Sequence, residues 1–81
     1  MLTSEQRRAL VEAIDASSAH ARHNLSVISI YHLTPSQTET ANQIRSFLKQ
    51  AQAARDSDPE AARSLAERAD LLSRDLLKSV Q

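Results

Sequence analysis

Not one of the 81 residues is glycine. Backbone with positive φ, or backbone that must approach a ligand closely, falls by default to glycine. Phosphate-cradling loops, nucleophile elbows and tight hairpins are built on such positions. Without them, the chain is steered toward helices joined by simple turns. Thirteen alanines, and few β-branched residues outside one short stretch, push the same way.

Two prolines punctuate the chain, and both suit a first helical position. In "LTPSQ", Thr34 is a candidate N-cap, Pro35 follows it, and Gln37 completes a capping-box pattern. In "SDPEAA", Asp58 caps, Pro59 follows, and Glu60 lies where the helix dipole favours negative charge. The spacing predicts an all-α fold of three antiparallel helices over about 3–33, 35–56 and 59–80. This is a single helical domain, 1–81, made of a long first helix and a helical hairpin over 35–80. Short connections make consecutive helices antiparallel.

Apolar periodicity supplies the expected core. The first helix carries Leu10, Ile14, Ser17, Ala21, Asn24, Ile28 and Tyr31, beside a second row of Val11, Ile14, Ser18, Ala21, Leu25, Ile28 and His32. Ala41, Ile44, Phe47, Leu48, Ala51 and Ala54 serve the second helix. Ala62, Leu65, Ala69, Leu72 and Leu76 serve the third. Arg8–Glu12 and Asp70–Arg74 are four apart and Asp75–Lys78 three apart, spacings of solvated helix-face pairs.

Ten basic and ten acidic residues give zero formal net charge, with the signs mixed. That leaves no basic footprint for nucleic acid and no polybasic membrane patch. Tyr31 and Phe47 are the only aromatics, too few to stack bases. Without cysteine there is no disulfide framework, thiolate metal site or thiol catalysis. No run approaches the ~20 apolar residues that span a bilayer, and "MLTSEQRRAL" lacks the apolar core of a signal peptide.

One stretch departs from this pattern. In "NLSVISIYHLTP", Leu25, Val27, Ile28, Ile30, Tyr31 and Leu33 crowd together. Its β-branched content admits a strand, but no partner strand exists elsewhere in the chain. As helix, Leu25, Ile28 and Tyr31 are expected to face the third helix around Leu72 and Leu76. Val27, Ile30 and Leu33 then point elsewhere, and the polar start of the second helix, "SQTETANQ", offers only Ala41 to cover them. Each such side chain left wet forgoes ~1.5–3 kcal/mol of full burial. The expectation is an interface at Val27, Ile30 and Leu33 that closes a homo-oligomer or takes another protein.

Chemistry is harder to find. His20 and His23 share a helical face, while His32 lies about half a turn round from His23 and cannot converge with them. A metal or cofactor site would need a ligand from another helix or a second subunit, so no metal or cofactor is expected within one chain. Ser17 and Ser18 lie on a helix interior with no free backbone N–H to form an oxyanion hole. They read better as small residues permitting close helix approach. Asn24, at a core-like position, suits either a register-setting or a surface role. Glu12 and Asp15 are the only acidic pair near His20 and have arginines close by, and three alanine-rich helices enclose no ready cleft. An enzyme is not expected.

The segment "QTETANQIRSFLKQAQAARDSDPEAARSLAERADLLSRDLL", about half the chain, resembles a helical hairpin recurring in uncharacterised bacterial envelope proteins. Through Ala62, Ala66 and Ala69 on the packing face of its second helix, it also resembles tetratricopeptide-type hairpins. The resemblance implies an interaction or scaffold role and assigns no site residue. The combined expectation is a non-enzymatic structural or protein-interaction module that self-associates through an apolar face of its first helix. The alternative is a metal- or cofactor-binding bundle that uses His20 and His23 across a subunit interface.

Overall fold

A computed structural model describes residues 1–81 as three helices and no strand: α1 (Ser4–Ile28), α2 (Pro35–Ala54) and α3 (Pro59–Val80). Each start is chemically marked. Thr3 and Gln6 form a reciprocal capping box, with Gln6 N donating to Thr3 Oγ1 at 3.1 Å and Thr3 N donating to Gln6 Oε1 at 2.9 Å. Thr34 and Gln37 repeat it at the same two distances. At α3, Asp58 Oδ1 accepts from Ala61 N at 3.2 Å, ahead of Pro59. Thr34→Ala and Asp58→Ala are each expected to cost roughly 0.5–2 kcal/mol of stability, measured by chemical denaturation. Unchanged midpoints in both variants would contradict the capping account.

The expected end of the first helix needs correction. α1 stops at Ile28, not at residue 33, and Ser29 to Thr34 form the connection. A helix running to 33 with another starting at 35 leaves no chain to cross the ~8–10 Å between antiparallel axes. Thr34 must also be extended before proline (φ −67°, ψ 163°). α2 likewise ends two residues earlier than expected, at Ala54, and α3 spans the expected range.

α1 and α3 run parallel, and α2 runs antiparallel to both. α3 packs along each of the other two, while α1 and α2 approach closely at few points. Ala62, Ala66 and Ala69 are fully buried on α3 and let its neighbours come close. The larger core layer joins Leu25 and Ile28 of α1 to Ala41, Ile44 and Leu48 of α2 and Leu76 of α3, with Leu72 packed against it. Ile14, Ala51, Ala62 and Ala66 form the smaller layer at the other end. Of the two α1 rows, the one through Ile14, Ser18, Ala21, Leu25 and Ile28 is buried.

Polar groups lock α1 to its neighbours. Asn24 Nδ2 donates to Ser73 Oγ at 3.0 Å, and Ser73 Oγ donates to the Asp70 carbonyl at 2.7 Å. Asn24 is thus an α1–α3 register residue. No buried side-chain N or O lacks a partner. At the other end Arg7 Nη1 donates to the Asp56 carbonyl at 2.9 Å, and Arg55 grips Asp15 through two bonds of 2.9 Å. Those hydrogen bonds from Arg55 hold the Asp15 carboxyl below its ordinary 3.8, against a smaller opposing effect of desolvation. The pair therefore stabilises the fold above that ordinary value, and its contribution fades as pH falls through the lowered one. No helix is long and apolar enough to cross a membrane.

Candidate functional site

The unusual stretch divides into three environments. Leu25 and Ile28 are buried against the Leu76 layer, as the periodicity predicts. Tyr31, expected beside them, is exposed, because α1 has ended and the chain has turned away from the core. The proposed interface residues also separate. Val27 is half-buried on α1 and Ile30 is 76% exposed in the connection. Leu33 instead packs against the molecule's own core. Its inward turn places a large side chain beside the polar start of α2, where only Ala41 was expected to contribute. Gln37 tightens that end through a 3.3 Å bond from its Nε2 to Ser79 Oγ. The layer therefore needs less external cover than the sequence suggests. What stays uncovered is Ile30 and Tyr31 at the tip, with Val27 one turn below.

His20 and His23 are both exposed and line one end of the α1–α3 groove with Asn24, Arg74, Leu77, Lys78 and Gln81. The depression there measures about 430 Å³. His20 Nδ1 is 3.7 Å from Asp70 Oδ2, and Arg74 donates to the same carboxylate at 3.0 and 3.2 Å. Asp70 was expected on a solvated face, yet it is 7% exposed. It is an interior carboxylate neutralised from the groove side, so its pairing with Arg74 is structural. No three His, Cys, Asp or Glu side chains converge into a metal-holding group. His32 lies in the connection. Ser17 is half-buried and Ser18 buried, in keeping with close helix approach. Glu12 pairs with Arg8, and Asp15 with Arg55.

The other end of the same groove holds a second depression, about 310 Å³, lined by Leu2, Gln6, Ala9, Leu10, Glu60 and Arg63. Sequence reading missed this surface because the core row of α1 accounts for its apolar periodicity. The missed signal is a third row on α1, Ala9, Ala13, Ala16, His20, His23 and Val27, with the alternating four–three spacing of a packing seam. Its alanines escape notice on any hydropathy criterion that weights large side chains. Comparison of the chain with protein-family models, curated proteins and solved structures returns no match.

Proposed function

We propose that the protein is a non-enzymatic interaction module that associates with a second copy through the uncovered apolar surface at the C-terminal end of α1. The observation that carries this is Ile30, 76% exposed beside exposed Tyr31 in a chain whose other apolar side chains in this stretch are buried or half-buried. An isoleucine left bare on a connection has no role in the core, and burying it against protein is favourable by up to ~1.5–3 kcal/mol, with a smaller gain from the partly covered Tyr31. A scaffold role, as implied by the hairpin resemblance, is compatible with this reading. Sedimentation equilibrium across a concentration series tests it. A mass at or approaching twice the 9.0 kDa of the chain is expected. A monomer throughout the series would refute self-association.

A second reading keeps the histidines. His20 and His23 share one open depression, so two copies facing each other there would bring four imidazoles together, enough ligands for zinc. Metal analysis of the purified protein separates the readings: stoichiometric zinc, lost in a His20→Ala/His23→Ala variant, favours the metal site.

A further inference from the structure

We infer that the second copy lies antiparallel along the α1–α3 groove, so that the interface is a two-fold symmetric four-helix seam rather than a contact of tips alone. The inference rests on the self-association reading and adds its geometry. Ile30 and Tyr31 are two side chains, far short of the ~800 Å² per partner of a standard interface. Two parallel helices about 33 Å long and each about 10 Å across give a footprint of roughly 650 Å² in projection. Only a lengthwise partner comes within the ~600–1,000 Å² per partner that standard interfaces span.

Two rows border that groove, and Ala9, His20 and His23 of α1 with Glu60, Glu67, Arg74 and Lys78 of α3 line its depressions. On α1, the row from Ala9 to Val27 contains no permanently charged residue. Its first half is small (Ala9, Ala13, Ala16) and its second half large (His20, His23, Val27). A copy laid parallel would set large against large and small against small. A copy laid antiparallel, centred near Ser18, sets Ala9 against Val27, Ala13 against His23 and Ala16 against His20. Every pair is then small against large, the pattern by which helix surfaces interdigitate. In this register Ile30 of one copy comes level with Gln6 of the other, beside the depression lined by Leu2, Ala9 and Leu10.

The α3 row has the same four–three spacing and a matching polarity: Glu60, Ser64, Glu67, Leu71, Arg74, Lys78. Acids occupy its first half, bases its second, and Leu71 its middle, 60% exposed with no intrachain reason to be apolar. Asn24–Ser73 and His20–Asp70 fix the level of α3 against α1. They place the centre of this row close to the centre of the α1 row. An antiparallel two-fold axis through that level brings Glu60 of one copy near Lys78 of the other and both Leu71 side chains near the axis. Glu67 and Arg74 already hold intrachain partners, Arg63 and Asp70, whereas Glu60 and Lys78 hold none. The polarity of α3 also suits its own dipole, but the dipole does not explain the uncharged, size-graded row beside it.

The absence of cysteine makes the test clean. In the antiparallel register, Ala9 of one copy faces Val27 of the other, while two Ala9 positions lie about 27 Å apart. Ala9→Cys/Val27→Cys should oxidise to a covalent dimer, and Ala9→Cys alone should not. In parallel, Glu60→Lys and Lys78→Glu should each weaken association at least several-fold, and the double swap should restore most of it. A dimer that crosslinks through Ala9→Cys alone, or ignores the charge swaps, overturns the antiparallel seam and leaves self-association standing. A native chain that stays monomeric overturns both.

Discussion

Ile28→Ala is expected to cost ~2–5 kcal/mol of folding stability, as truncation of a buried isoleucine does. Ile28 is 1% exposed and sits in the larger core layer with Leu25, Ile44 and Leu76. A domain of this length commonly holds only ~4–12 kcal/mol in total, so the variant loses a large share. Its melting temperature should fall by roughly 10 °C or more. The control is two residues away. Ile30→Ala removes the same atoms from an exposed position and should change monomer stability by no more than ~0.5 kcal/mol. Urea denaturation of both variants, at concentrations low enough to keep the chain monomeric, decides the matter. Equal losses would mean that the boundary between core and tip is wrongly drawn.

That boundary shows where the sequence was legible and where it was not. The starts of α2 and α3 could be read because Thr34–Pro35 and Asp58–Pro59 are local instructions: the cap, the fixed φ and the dipole act within one turn. The buried row of α1 was equally plain from spacing. The end of α1 was not, because Ile30, Tyr31 and Leu33 continue an apolar run that neither breaks nor caps a helix. What ends the helix is a distant requirement, the need to reverse direction before an already capped α2. Once the chain turns at Ser29, Leu33 folds back onto the core while Ile30 and Tyr31 do not. Three residues read as neighbours thus acquire different environments. Asp70 was misread for a related reason. Its i,i+4 spacing to Arg74 is what a solvated pair shows too, and only the close approach of α1 through Ala21 and Ala69 buries it. Alanine-lined surfaces are the least legible, since the same residue serves a tight core at Ala62 and Ala66 and an open helix face at Ala9 and Ala16.

Val27→Glu combined with Ile30→Glu is expected to weaken self-association by about 100-fold or more while leaving the monomer helical. Val27 and Ile30 are the large apolar side chains of this surface, and hot-spot side chains of that kind carry ~2 kcal/mol or more each, where each 1.4 kcal/mol is a factor of ten. Charge adds to the loss, because a carboxylate set against Leu2, Ala9 and Leu10 of the other copy gives up its water without gaining a partner. The antiparallel register makes the second substitution the harsher one. It brings the new carboxylate beside a depression lined by Glu60 and Arg63, and because Arg63 is already paired with Glu67 the unpaired Glu60 leaves a net repulsion. Ile30→Lys at the same place meets Glu60 and Arg63 together and should be the milder change. In the monomer both positions are open to water or partly so, so neither glutamate is forced into a core. Far-ultraviolet circular dichroism should therefore match the native protein at equal monomer concentration. Sedimentation velocity on native protein, the double glutamate variant and Ile30→Lys reads the series directly. An assembly unchanged by the double variant would move the interface off the C-terminal end of α1. A variant that loses helicity along with assembly would place Val27 in the fold rather than in the contact.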